Sequence, residues 1–234
     1  MYEEHTTSGH RWRRLYCAHC GRWVDIPILC SDRFCFACSR VRAAKIRKRL
    51  RYILGSVPLK PGYFPAVITL SIPNSPDLAQ QVKDLISSFR RLRQSRVWPE
   101  YVSGGATIIE IKKNPTGWHA HIHAFVMMRY FPWKKLNKAW GRASGGSQCY
   151  ITKVSIKAAL GYVTKYVTKT DLPPEDRAEA SDCLKRYRLF QRFGAWHHVR
   201  IPRLMCDMLC RECGKSDWVF YIYDRHRVFS ARGT

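Results

Sequence analysis

Acidic residues are scarce in this chain of 234 residues: 17 Asp and Glu stand against 41 Lys and Arg, leaving a formal charge of +24. Solubility needs far less, so the imbalance predicts a polyanionic partner, nucleic acid first. Long apolar runs are missing too. None approaches the roughly 20 residues that cross a bilayer, and the opening MYEEHTTSGHRWRR has no apolar stretch of a signal peptide, so a cytoplasmic protein without a membrane partner is expected. There is no Gly-x4-Gly-Lys-Ser/Thr phosphate loop, which leaves strand separation to another protein, and no His-Glu-x2-His helix, which sets aside a metalloprotease. No internal repeat is visible beyond two similar cysteine turns near the ends.

What is present argues for a folded catalytic domain with appendages. Aromatic residues make up 13% of the chain, more than a basic tail would carry. Ten cysteines in a reducing compartment point to metal binding rather than to disulfides. Three regions are expected: a cysteine-rich zinc-binding and basic-helix segment over 1–60, a core over 61–170, and a C-terminal extension over 171–234 whose cysteines can join the N-terminal module.

The segment Ser39 to Arg51 reads as a helix carrying Arg40, Arg42, Lys45, Arg47, Lys48, Arg49 and Arg51, a density that suits phosphate contact. Tyr63 to Ile72 reads as a buried strand. Ser75 as N-cap and Pro76 at the first position open a helix striped by Leu78, Val82, Leu85, Ile86, Phe89 and Leu92. Ala106 to Lys112 and Trp118 to Met127 form a hairpin about the turn Asn114-Pro115-Thr116-Gly117. A short helix near Trp133 to Trp140, a strand near Cys149 to Val154, a helix from Ile156 to Lys169 and a charged helix from Glu175 to Gln191 follow. The fold class is α+β, a central antiparallel sheet with flanking helices plus zinc-binding elements.

Within the hairpin, His119, His121 and His123 alternate, so all three imidazoles face one way while Trp118, Ala120, Ile122 and Ala124 face a core. Imidazoles two apart on a strand can converge on one divalent ion. Glu110 is the natural third ligand, since a carboxylate beside two imidazoles suits Mg or Mn and leaves positions open for a phosphate. Register decides whether it reaches: a two-residue turn at Pro115 and Thr116 pairs Glu110 with His121, whereas a three-residue loop with Gly117 as a bulge turns it away. His119 is the fallback ligand.

In the helix from Ile156 to Lys169, the residues Ile156, Ala159, Leu160, Val163 and Val167 share the face that packs on the sheet. Tyr162 and Tyr166, four apart, border that face, with Lys165 and Lys169 just beyond. Taken alone they read as boundary packing residues. Beside a histidine strand they become candidate nucleophiles, with the lysines offsetting charge on an attacked phosphate.

His119 to His123 followed by Gly161-Tyr-Val-Thr-Lys-Tyr-Val-Thr-Lys169 resembles the HUH and Tyr-x3-Tyr motifs of rolling-circle replication initiators of plasmids and single-stranded DNA phages. Phe64 to Ile72 resembles that family's first motif, and Cys30-Ser-Asp-Arg-Phe-Cys-Phe-Ala-Cys38 the cysteine segment preceding it. The likeness covers roughly 17 to 170. It implies an HUH-type, ferredoxin-like core in a bacterial or archaeal host cell, with His121 and His123 as ligands of Mg or Mn and Tyr166 or Tyr162 as nucleophile. The implied reaction nicks and rejoins single-stranded DNA at an origin or hairpin, giving a 5′-phosphotyrosine and a free 3′-OH, with host helicase and polymerase as partners. Transposases and relaxases share this chemistry, and a non-enzymatic zinc-ribbon nucleic-acid binder is the competing reading.

The cysteines allow two partitions. Cys17-x2-Cys20 and Cys35-x2-Cys38 have the spacing of one four-thiolate zinc site. Alternatively the matching turns Cys17 to Gly21 and Cys210 to Gly214 unite Cys17, Cys20, Cys210 and Cys213, leaving Cys30, Cys35, Cys38 and Cys206 for a second ion. Cys149 and Cys183 read as plain buried thiols.

Overall fold

Apolar residues alternating with histidines from Trp118 to Ala124, followed by the apolar run Phe125 to Met128, build the strand around which the main sheet is organised: Trp118, Ala120, Ile122 and Ala124 are all at most 2% exposed. The computed structural model describes residues 11–30, 32–169, 172–202, 210–215, 217–224 and 227–228. In chain order its elements are β1 (Arg11–Cys17), β2 (Trp23–Pro27), α1 (Phe36–Ser56), β3 (Phe64–Ser71), α2 (Leu78–Gln94), α3 (Trp98–Tyr101), β4 (Val102–Asn114) and β5 (Gly117–Met128). Then come α4 (Trp133–Ser144), β6 (Cys149–Lys153), α5 (Ile156–Thr168), α6 (Pro174–Leu184), β7 (Gln191–Gly194), β8 (Trp218–Asp224) and β9 (Arg227–Val228).

Both sheets are antiparallel throughout, as an α+β reading requires: four strands in the order β2-β1-β8-β9, and five in the order β6-β3-β5-β4-β7. Contacts divide the chain into two compact units, Met1–Cys38 with Pro202–Thr234, and Ser39–Ile201. The basic helix α1, grouped with the cysteine segment on sequence, therefore lies from Ser39 onward in the second unit, as does β7.

One face of the five-stranded sheet is covered by α2, which buries Leu78, Val82, Leu85, Phe89 and Leu92. The other carries a core of Val67, Ile108, Phe125, Met127 and Trp196 packed with Ala43, Ile46, Leu50 and Ile53 of α1 and with Ala159 and Val167 of α5. Ala43, Ile46, Leu50 and Ile53 recur at helical spacing, so Arg40, Lys45, Arg47, Lys48, Arg49 and Arg51 stay exposed and Arg42 is half-buried.

Three expectations need correction. Asp77, not Ser75, caps α2: its side chain accepts from the Gln80 amide at 2.9 Å. Ser75 is held outside the helix by paired backbone bonds with Trp118, 3.1 and 2.8 Å long. The close approach of Ser75 needs glycine at 117, where φ is +113° and a Cβ would sit 2.7 Å from the Ser75 carbonyl oxygen. The charged helix stops at Leu184, and Gln191 begins the edge strand β7, because Phe193 buries its ring against Phe89 and Trp98 and draws this segment into the sheet. Finally, Ile156 is exposed at the start of α5 and does not pack on the sheet.

Gln81, 2% exposed, pins α2 to β5. Its amide donates to the carbonyls of Pro73 and Trp118 and accepts from the Ala120 amide. Gln81→Leu takes this partner from the Pro73 carbonyl and the Ala120 amide and leaves the Trp118 carbonyl only its bond from Ser75, so a loss of about 3 kcal/mol is expected from denaturant unfolding. An unchanged midpoint would show that water replaces the side chain.

Candidate metal and tyrosine site

The loop between β4 and β5 is the two-residue form: Asn114 pairs with Gly117, and Glu110 pairs with His121. Glu110 therefore lies on the histidine face, where it is 6% exposed. One carboxylate oxygen stands 2.7 Å from His123 Nε2 and the other accepts from Lys169 Nζ at 2.6 Å, with Lys112 Nζ 3.9 Å away. Burial by itself raises the Glu110 pKa, but the hydrogen bonds from His123 and Lys169 outweigh it and hold the carboxyl at about 2. The far nitrogen of His123, Nδ1, lies 3.3 Å from Thr69 Oγ1.

Ser155 caps α5 by accepting from the Ala158 amide, and the helix lays Tyr166 flat on His123, ring centroids 3.6 Å apart and 15° from parallel. Tyr162 follows one turn earlier, 5.9 Å from Tyr166. Lys165 is exposed with Nζ 5.9 Å from the Tyr166 ring. Burial raises the Tyr166 pKa and the Glu110 charge adds to this, while Lys169 opposes both.

Both ring nitrogens of His121 are buried and without a hydrogen-bond partner among the described residues. Burial, followed by the neighbouring His119, pushes its pKa down to about 4, so it is neutral at pH 7. His119 packs edge-on against His121 at 4.1 Å and hydrogen-bonds Asn74; burial and then Lys112 lower its pKa. Neutral His121, together with His123 and anionic Glu110, offers nitrogen and carboxylate donors of the kind that suit a hard divalent ion, which could take up one of the two unpartnered nitrogens of His121. Among the described residues, however, the only groups of three or more donors gathered within 4.8 Å are cysteines. Thr69, Asn74 and Lys112 were not singled out on sequence; the threonine in the Phe64 to Ile72 motif strand was the signal available for the first.

The low pKa of Glu110 makes an acid-range prediction. A depressed folded-state pKa contributes stability above the unfolded value near 4.3 that is lost as pH falls toward 2. In chelator, Glu110→Gln should therefore be less stable than the parent at pH 7 and converge with it between about pH 4.3 and 2. A constant gap across that window would mean that the carboxylate charge is immaterial.

In the first unit, Cys17 and Cys210 each open a turn closed by Gly21 and Gly214, with φ of 70° and 69°. The glycine amides donate back to Cys17 and Cys210 at 3.0 and 2.8 Å. The turns face each other, Cys17 against Cys213 at 3.4 Å and Cys20 against Cys210 at 3.5 Å, all four sulfurs within 4.8 Å. Such a set can hold a structural zinc ion. Cys30, Cys35 and Cys38 gather separately, and Cys206 lies outside the described residues. Cys149 is buried, and burial pushes its thiol up to about 12; Cys183 is half-buried rather than buried.

The profile of the family described as Replication protein (Rep_1) matches residues 22–141, just over half of the chain. The chain belongs to that family. The matched stretch of this replication protein carries Glu110 and all three histidines of β5 and ends before α5, so the tyrosines lie outside it. Neither the curated proteins nor the solved structures give a match. No helix among the described residues is long and apolar enough to cross a membrane.

Proposed function

We propose that this replication protein is a rolling-circle initiator that nicks and rejoins single-stranded DNA through Tyr166 or Tyr162. The observation that supports it best is the stacking of Tyr166 on His123, which joins two chemistry-bearing segments distant in sequence over one buried carboxylate. The phenolic oxygen attacks a backbone phosphorus, forming a Tyr–O–P bond as the P–O3′ bond breaks. The phenol loses its proton and the departing 3′ oxygen gains one, so the products are a 5′-phosphotyrosine and a free 3′-OH that can prime synthesis. Rejoining runs the same exchange backwards.

His121, His123 and Glu110, with His119 at their edge, would hold Mg or Mn, which supplies Lewis-acid stabilisation of the attacked phosphate. Lys169 neutralises Glu110 and lies where it offsets the phenolate charge that burial opposes; Lys165 faces the approaching strand. The basic face of α1, from Arg40 to Arg51, binds backbone phosphates without reading sequence. Cys17, Cys20, Cys210 and Cys213 serve as one closed, structural zinc site, and Cys30, Cys35 and Cys38 as a second completed by Cys206. An origin in single-stranded or hairpin form is the substrate, on a plasmid or phage genome, with strand separation and synthesis left to a host helicase and polymerase.

The test is incubation with a labelled single-stranded oligonucleotide pool and Mn or Mg, resolved on a denaturing gel. A protein–DNA adduct abolished by EDTA is expected. Salt-dependent binding without an adduct to any sequence would replace the nicking enzyme by a nucleic-acid binder.

A further inference from the structure

The opposite face of the five-stranded sheet holds a cavity that the nicking chemistry does not use. It encloses about 280 Å³ between α2, the β4–β5 pair and the chain from Arg186 to Gln191. Its floor is apolar and buried, formed by Phe89, Ile109 and Ile122, with Thr107 at one end. Its rim is cationic: Arg186 and Arg188 are both exposed, and the exposed Gln191 adds an amide. Tyr187 completes the wall. Side chains alternate along β4 and β5, so Ile109 and Ile122 lie directly behind Glu110, His121 and His123.

An apolar floor beneath two guanidinium groups matches a ligand with a weakly polar body and an anionic end. Guanidinium groups bind phosphate oxygens in bidentate fashion, and aromatic rings take nucleobases by their faces whatever the base. The volume sits just under the roughly 300 Å³ at which small-molecule sites begin, which fits one nucleotide rather than a longer segment. We propose that this cavity binds a single nucleotide, its base over Phe89, Ile109 and Ile122 and its phosphate at Arg186 and Arg188. The nucleotide is either one unit of the bound DNA strand or a free mononucleotide. The inference takes its ligand class from the nucleic-acid reading but not from the cleavage step.

The experiment uses the full chain carrying Tyr162→Phe and Tyr166→Phe, in EDTA, so that no cleavage enters. It is titrated with dAMP and dTMP by calorimetry and with single-stranded oligo(dT) by fluorescence anisotropy. The pair Arg186→Ala and Arg188→Ala is compared with Lys134→Ala and Lys138→Ala, two exposed cations of α4 that remove the same charge elsewhere. Saturable mononucleotide binding weakened about tenfold or more by the arginine pair alone identifies a free nucleotide. Selective weakening of oligo(dT) alone identifies a unit of the strand. No selective loss for either ligand, or equal losses in both pairs, overturns the proposal. An absent covalent adduct in the parent chain would remove the nicking reading and leave this result standing.

Discussion

Replacing Tyr162 and Tyr166 together by phenylalanine abolishes the covalent protein–DNA adduct, a loss of at least about 10³-fold in cleavage, while strand binding persists. Removing a nucleophile leaves only the binding and electrostatic parts of catalysis, which sets that scale. Phenylalanine keeps both rings, so the stack on His123 and the packing of α5 survive and stability changes little. Of the single changes, Tyr166→Phe has the larger effect, because Tyr166 rather than Tyr162 stacks on His123 beside Glu110 and Lys169. Tyr162→Phe alone leaves one cut possible and impairs a second transfer. Adduct formation at the parent rate by the double variant would make both tyrosines packing residues at the edge of a core.

Stripping metal from the four-thiol cluster, or changing Cys17 and Cys213 to serine, unfolds the first unit and spares the second. Among the described residues of the sheet of β1, β2, β8 and β9, the large apolar side chains Trp23, Val24, Val219 and Phe220 are exposed rather than packed in a core. Below roughly 70–80 residues a single core rarely supplies more than a few kcal/mol, and zinc held by a closed thiolate set is worth on the order of 10 kcal/mol to folding. Hydrogen exchange read by mass spectrometry should show protection lost along β1 and β8 and retained in β3, β4 and β5. Unchanged exchange in β1 after chelation would mean that backbone pairing holds this sheet without an ion. The metal-poor protein should still form the tyrosine adduct, since every residue of the proposed cleavage site lies between Ser39 and Ile201.

The histidine face was legible because strand alternation is local: once Gly117 to Met128 is extended, His119, His121 and His123 must share a side. The tyrosine helix was legible for the same reason, at helical spacing. Whether Glu110 joined them was not, since one residue in the turn decides its face, and that turned on Gly117 adopting φ +113° against Ser75. The cysteine partition had the same character. Two spacings fitted equally well until β1 paired with β8 and brought Cys17 to Cys213. The strand β7 carried no alternation long enough to read, and the helix expected there yielded to burial of Phe193.

The sequence by itself determined the charge that calls for a polyanion, the antiparallel α+β architecture, the histidine strand and the paired tyrosines, all of which rest on composition or on periods of two and 3.6 residues. Tertiary structure alone decided that Tyr166 lies on His123, that Glu110 is shared between His123 and Lys169, that thiols from both ends of the chain meet, and that a cation-rimmed cavity backs the site. Each of these depends on the register and packing of segments far apart in the chain, and the energies that choose between registers come from contacts no local pattern encodes.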